Sequence, residues 1–310
     1  MGFVVSSLTS YVNEQSTELI AAAQFKSETA ALASIQTGVK SAAALQILSV
    51  SPIPQDGSSC GFTASGTTTF TQRTITTSSV KFEESLCPKA LEAKWTQLLL
   101  KKGQGYTEAD IPSMIVDEIV KNIKRIEETA DWMGDTTSGS AYLSRYDGLA
   151  KIIDAASGVV QATASTFNST NARAIMKNII SNIPAALKGD SEVEIVCGYD
   201  VAEIYRQALM DANLYHIAPG AQGGDVTVEG SIYKLRPVHG LDGTYTSNSV
   251  PCIYALKWSN VFLGVDMENE EEQAKMWLDG SDMETVKYRF AYRRGWQIAI
   301  PAEIVKYKNS

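Results

Sequence analysis

Few residues in this chain could do covalent chemistry, and the clearest pattern is Gly57-Ser58-Ser59-Cys60-Gly61. It matches the G-x-S-x-G elbow of hydrolases, in which Ser59 would be the nucleophile. That elbow needs a buried strand before it and a helix after it. Here Pro52 and Pro54 precede the pattern and a threonine-rich stretch follows it. A flexible loop is therefore the favoured interpretation, and a small hydrolase that uses Ser59 is the alternative.

Metal and cofactor chemistry has little support in the sequence. There are two histidines, His216 and His239, and four cysteines, none of them in a Cys-x-x-Cys pair. Zinc sites normally need Cys and His at short repeated spacings. No phosphate-binding glycine motif is present. We therefore expect no metal, no cofactor and no catalytic residue.

The four cysteines fall into two pairs by context. Cys197 and Cys252 lie in apolar, strand-like stretches, so we expect free thiols there. Cys60 and Cys87 flank the threonine-rich stretch and could face each other across its base. A reducing compartment would favour free thiols at these two positions as well. A disulfide between Cys60 and Cys87 stays open as the alternative, and it would stiffen the segment between them.

The charge balance argues against a specific nucleic-acid site. The net charge is −8, and the 27 Lys and Arg residues are scattered along the chain. A protein that grips phosphates in a site of its own usually carries a concentrated basic patch. Weak, non-specific contact with DNA remains compatible with this composition. No apolar run approaches the roughly 20 residues that cross a bilayer, so no membrane partner is expected.

The N-terminal part of the chain, up to residue 82, is predicted to form an arm followed by a ribbon. Residues 1–48 are rich in Ala, Ser, Thr and Gln and have a weak apolar face. Residues 62–82 are rich in threonine and favour extended backbone, with Phe70 among a few apolar residues too sparse to form a core. A β-ribbon of this kind is only marginally stable alone. We expect it to lie across a neighbouring subunit.

One long helix is predicted over residues 111–133. Asp110 can cap it, and Pro112 sits just inside its start, where a missing N–H costs nothing. Isoleucine or alanine then recurs on one face every three or four residues up to Ala130. At 1.5 Å per residue such a helix extends about 35 Å.

The rest of the chain mixes helices and strands without an internal repeat. Helices are predicted around residues 170–187 and 200–212. Strands are predicted at residues 193–197, 226–235, 252–258 and 261–265, and two more at 285–292 and 297–304. The class is α+β.

Several phrases in this order resemble the major capsid proteins of tailed bacteriophages, which have the Hong Kong 97-type fold, and especially those of phages that infect Bacteroidetes-type hosts. The likeness covers about residues 34–307. The phrases are Gly66-Thr67-Thr68-Thr69-Phe70-Thr71-Gln72-Arg73 running into Leu86-Cys87-Pro88, Trp132-Met133-Gly134-Asp135, Asn260-Val261-Phe262-Leu263-Gly264-Val265-Asp266 and Tyr288-Arg289-Phe290-Ala291-Tyr292-Arg293-Arg294-Gly295-Trp296.

The resemblance implies a division of the chain. Residues 1–50 would be the N-terminal arm and 56–86 the extended loop. Residues 87–140 and 266–294 would form the peripheral domain around the spine helix, and 141–265 with 295–310 the axial domain. Contacts with neighbouring subunits would come from the extended loop, through Thr68, Phe70, Gln72, Arg73, Ile75, Val80 and Phe82.

The resemblance also implies a function. The chain would be a structural protein and not an enzyme, assembling into hexamers and pentamers that close an icosahedral shell around double-stranded DNA. Assembly would take place in the bacterial cytoplasm, and the final location would be the virion. Portal, scaffold and decoration proteins are further expected partners. An encapsulin-like nanocompartment that holds a cargo enzyme is the alternative of the same fold.

Overall fold

A computed structural model describes residues 27–57, 61, 64–87, 110–163, 165–212, 226–242, 251–266, 273–279 and 285–308. The helices are α1 (Asp110–Met133), α2 (Leu149–Ala155), α3 (Ala172–Ser181) and α4 (Tyr199–Asp211). The strands are β1 (Ser34–Gln36), β2 (Ala42–Pro52), β3 (Gly66–Thr76), β4 (Ser78–Leu86), β5 (Val160–Gln161), β6 (Val193–Cys197), β7 (Val226–Thr227), β8 (Lys234–Pro237), β9 (Cys252–Lys257), β10 (Val261–Val265), β11 (Gln273–Leu278), β12 (Val286–Ile298) and β13 (Val305–Lys308).

The 13-residue strand β12 is the centre of a five-stranded sheet. One edge of β12 pairs with β11 and then with β10, which in turn pairs with β1, and the other edge pairs with β4. The prediction of two separate strands at 285–292 and 297–304 is wrong. The ladder continues through Arg294 and Gly295, which pair with Val265 and Gly264, so Gly295 does not break the strand.

Helix α1 packs across this sheet, and its observed span agrees with the predicted one to within a residue. Val116, Val120 and Ile123 are buried against β12, because the alternation along β12 turns Val286 and Phe290 to the same side. Toward its C-terminal end the helix is buried on more than one face. Glu127, Glu128 and Asp131 are buried there along with Ala130 and Trp132.

A six-stranded sheet in the order β5-β13-β9-β6-β8-β7 is covered on both faces. Alternate residues explain this, since Ile195 faces one core and Val196 the other. Helices α3 and α4 cover the first face, where Met176 and Tyr205 are buried. The second face packs against α2 and the end of α1. That core also contains residues of β10 and β12, so it joins the two sheets.

The ribbon consists of β2 and β3, which pair antiparallel over eleven residues from Ala42↔Thr76 to Pro52↔Gly66. This differs from the predicted bounds of arm and loop. Residues 42–52, placed in the arm and before the loop, supply one strand of the ribbon. Residues 78–86, placed in the loop, are strand β4 and pair with β12. The reason is that β3 passes directly into β4 at Thr77 and enters the sheet.

Some predictions fall on residues that the structure does not describe. These are the candidate positions Ser59, Cys60 and His216. None of the described helices is both long and apolar enough to cross a membrane.

Candidate assembly surface

The ribbon presents an apolar face that is exposed in the described part of the chain. Directly paired residues of antiparallel strands share a face, and Leu48 pairs with Phe70 while Val50 pairs with Thr68. Leu48 is 57% exposed and Phe70 is 74% exposed. Two large apolar side chains that lie side by side and are largely exposed to water are typical of a contact surface. We call Leu48, Val50, Thr68, Phe70 and the adjacent pair Gln46–Gln72 the ribbon face.

The predicted contact residues divide into two groups. Thr68, Phe70 and Gln72 are exposed on the ribbon face. Arg73 is half-buried, and its guanidinium donates to Gln297 Oε1 at 3.3 Å. Phe82 is half-buried, with its ring 6.3 Å from that of Tyr292.

Ile75 and Val80, which were also predicted as contact residues, are not exposed in the subunit, and their part in a contact between subunits stays a prediction. Both are buried in the subunit itself, Ile75 with Val39 and Leu45 and Val80 in the core that joins the two sheets. The physical reason is position. They lie at the point where the ribbon enters the five-stranded sheet, and side chains there face the subunit's interior.

The base of the ribbon is fixed to the body by specific contacts. Thr77 Oγ1 donates to the carbonyl of Val39 at 2.9 Å, and Gln297 Nε2 donates to the carbonyl of Thr74 at 2.7 Å. Gly295 lies so close to Thr76 that a Cβ at this position would overlap the Thr76 carbonyl. The ribbon is therefore held at one end and projects at the other.

A buried ion pair lies beneath the ribbon's base, between α1 and β12. The Arg294 guanidinium donates to Asp131 through Nε at 2.8 Å and through Nη2 at 2.5 Å. Asp131 also accepts from Trp296 Nε1 at 2.7 Å and from the Tyr146 hydroxyl at 2.8 Å. Burial alone would lower the pKa of Arg294, but the charges of Asp131 and Glu127 hold it well above its ordinary value. We call Glu127, Glu128, Asp131 and Arg294 the buried cluster.

Two further carboxyls of the buried cluster stand beside this pair. Burial raises the pKa of Glu127 to about 8 and that of Glu128 to about 7, and the charge of Asp131 adds to both shifts. Glu127 accepts from the Tyr292 hydroxyl through Oε1. Its Oε2 has no hydrogen-bond partner among the described residues and lies 3.5 Å from Arg294 Nη1. A carboxyl in this setting is favoured in its neutral form.

Glu128 binds a segment from the N-terminal part of the chain, residues 27–30. Thr29 donates its backbone N–H to Glu128 Oε2 at 3.0 Å and its hydroxyl to Glu128 Oε1 at 2.5 Å. Trp132 Nε1 donates to the same Thr29 hydroxyl at 2.7 Å. Glu28 accepts from the backbone N–H of His239 at 3.0 Å and lies 2.6 Å from His239 Nδ1. We call residues 27–30 the arm junction.

The residues considered for chemistry do not form a site in the described part of the chain. Cys197 and Cys252 are buried free thiols, as predicted, and burial raises the pKa of both. Cys87 is exposed after β4, and its pairing with Cys60 stays a prediction because Cys60 lies outside the described residues. Within the described ranges no group of three or more His, Cys, Asp or Glu residues is arranged to hold a metal ion.

Sequence reasoning missed Leu48, Val50 and the buried cluster. Arg293 and Arg294 are adjacent basic residues in the sequence, yet Arg294 is fully buried. Leu48 and Val50 lie two residues apart, and this spacing was the available signal for a strand with one apolar face.

Comparison with solved structures identifies the fold. A chain of the satellite phage P4 procapsid with its size determination (Sid) protein matches with a TM-score of 0.64 at 11% identity, covering 94% of this chain and 90% of the other. A chain from Gordonia phage Cozz gives 0.58 at 11% identity, covering 92% and 86%. A capsid chain of an empty GTA particle gives 0.56 at 12% identity, covering 92% and 90%.

The chain therefore has the Hong Kong 97-type capsid fold, an α+β architecture, as the resemblance implied. No protein-family model matches the sequence, and no curated protein does. The evidence for the fold is the structural match, because sequence identities near 11% are too low to assign a fold by themselves.

Proposed function

We propose that this chain is the major capsid protein of a tailed phage or of a related GTA-type particle, a non-enzymatic subunit that assembles into an icosahedral shell. The observation that carries the proposal is the exposed ribbon face on a fold that matches capsid structures over more than nine-tenths of this chain. A subunit that leaves Leu48 and Phe70 in water leaves apolar area that a neighbouring copy can bury.

Each contact of such a shell can be weak, because many identical contacts close one particle. We infer that the ribbon face, through Thr68, Phe70 and Gln72 and with Leu48 and Val50, contacts the adjacent subunit. Arg73 lies on the opposite face of the ribbon and Phe82 lies in β4, and both are half-buried, so we infer a lesser part for them. The fixed base supports this inference, because a ribbon held by Thr77 and Gln297 presents its face at a constant angle.

We also propose the division into domains that the resemblance implied, with the ribbon bounds adjusted. The arm ends near residue 41, and the extended loop is the ribbon of residues 42–76. Residues 87–140 and 266–294 with β4 form the peripheral domain, and 141–265 with 295–310 the axial domain. Subunits arranged as hexamers and pentamers would close the shell.

The shell would enclose double-stranded DNA by non-specific contact, with portal, scaffold and decoration proteins as further partners. The net charge of −8 is compatible with weak contact only. Assembly in the bacterial cytoplasm follows from this role, with the virion as the final location. We also propose a phage of a Bacteroidetes-type host, on the resemblance of the sequence phrases quoted above.

The proposal is tested by measuring how the purified full-length chain sediments. The double variant Leu48→Ser/Phe70→Ser removes the apolar pair on the ribbon face, and Ile232→Ser makes the same kind of change at an exposed residue outside the ribbon. We expect fast-sedimenting assemblies from the wild-type chain and from Ile232→Ser, and subunits or small oligomers from the double variant. Equal assembly of all three proteins would contradict the role of the ribbon face.

A further inference from the structure

Cationic side chains from three strands lie on one face of the five-stranded sheet. The even-numbered residues of β12 are buried against α1, so Lys287 and Arg289 point to the opposite side. Directly paired residues share a face, and the register therefore places Lys81 of β4 and Lys275 of β11 on that same side. We call Lys81, Lys275, Lys287 and Arg289 the basic face.

Two cations of the basic face lie side by side. Lys275 is directly opposite Arg289 across β11 and β12, and like charges at directly opposed positions destabilise a sheet. Arg289 shares the carboxylate of Glu83, which lies 3.4 Å from its Nε and 2.8 Å from Lys81 Nζ. The described part of the chain brings no carboxylate to Lys275 within ion-pair distance. The folded subunit therefore keeps positive charge here that a polyanion can neutralise.

The side chains on this side of the sheet fit nucleic acid better than a second protein. Interfaces between proteins are depleted in lysine, whereas protein–DNA interfaces are polar and strongly positive. Three of the four cations are exposed and the fourth, Lys287, is half-buried. Ser79 and Ser85 add exposed side chains, and Trp277 is the one large apolar residue that the described strands place beside the cations. Cationic and hydroxyl groups are those that contact phosphate oxygens.

We propose that the basic face is the surface of the subunit that contacts the phosphate backbone of double-stranded DNA inside the shell. The proposal rests on the proposed shell function only for the identity of the polyanion. Phosphate contacts carry no sequence information, so the binding is non-specific. Phosphates placed over the face relieve the repulsion between Lys275 and Arg289. The fold thus collects cations that are scattered in the sequence onto one surface.

Fluorescence anisotropy with a short labelled DNA duplex tests the basic face on the full-length chain. For four phosphate contacts, a plot of log affinity against log salt should have a slope of about −3 to −4. Lys275→Gln/Arg289→Gln should make the slope shallower by about 2 and weaken binding at low salt by at least about tenfold. Lys121→Gln/Arg173→Gln removes the same charge at exposed positions outside the basic face and should keep the wild-type slope.

Sedimentation of the same three proteins without DNA separates this proposal from the shell function. We expect all three to assemble alike. An unchanged salt slope in Lys275→Gln/Arg289→Gln would overturn the basic face and leave the shell function intact. Loss of assembly in that variant alone would also overturn it, because the face would then contact another subunit. If none of the three assembles and the slope is still reduced, the shell function is contradicted and the basic face is supported.

Discussion

Leu48 and Phe70 are paired directly across the ribbon, and both side chains point away from the subunit. Because the register aligns them, a single substitution on either strand alters the same patch. Two exposed apolar side chains add little to the stability of an isolated subunit. They contribute to the free energy of association only when a second surface covers them.

The first prediction separates assembly from folding at this pair. Phe70→Ser should change the free energy of unfolding of the isolated subunit by no more than about 0.5 kcal/mol, because the side chain buries little in the subunit. The same variant should raise the concentration needed for assembly. Urea denaturation of the dissociated subunit and light scattering during assembly measure the two effects. A loss of several kcal/mol in the subunit would mean that Phe70 belongs to the core.

The second prediction concerns the buried ion pair. Arg294→Met leaves Asp131 as an uncompensated buried charge and should lower the free energy of unfolding by about 3–5 kcal/mol. Arg289→Met is the matched control, since Arg289 is exposed and pairs with exposed Glu83. It should cost less than about 1 kcal/mol. Urea midpoints give both values, and similar losses in the two variants would argue against a special role for the Asp131–Arg294 pair.

The third prediction uses the close approach at Gly295. A Cβ there would overlap the carbonyl of Thr76, so Gly295→Ala must displace either β12 or the ribbon base. We expect a loss of about 1–3 kcal/mol, typical of overpacking. Gly139→Ala, where a Cβ meets nothing within 4 Å, should leave the melting temperature nearly unchanged. Equal melting temperatures for the two variants would show that the ribbon base is not held as described.

The fourth prediction is the direction of the pH dependence of stability. Glu127 and Glu128 have folded-state pKa values raised above their ordinary value of 4.5. The folded state therefore binds more protons than the unfolded state between pH 4.5 and about 8, and the free energy of unfolding falls as pH rises through that window. Glu127→Gln should flatten the fall. Denaturant midpoints from mild acid to mild alkali measure how the free energy of unfolding changes with pH. A free energy of unfolding that rises with pH in this window would contradict the prediction.

The helices and strands whose signal lies within one short segment of the sequence were predicted correctly. The apolar periodicity of α1 and the four apolar residues among the five of β6 are visible within one segment, and both elements lie where predicted. The predicted ribbon did not include strand β2, which is the partner of β3. This strand lies before a loop, and its alternating apolar pattern is limited to Leu48 and Val50.

The buried cluster could not be read from the sequence. Asp131 and Arg294 are 163 residues apart, and an Arg-Arg pair in a strand ordinarily faces water. Only the packing of α1 on β12 shows that Arg294 points inward and that Asp131 meets it. The burial of two predicted contact residues, Ile75 and Val80, could not be read from the sequence for a related reason. Their burial depends on where the ribbon enters the sheet.

Negative-stain electron microscopy of the purified full-length wild-type chain tests the central claim most directly, with mass measured on the same sample. We predict closed shells, or rings of five and six subunits, and a mass many times the 33.6 kDa of one chain. A monodisperse 33.6 kDa monomer at every salt and protein concentration, with no rings even when a scaffold protein from the same genome is supplied, would contradict it.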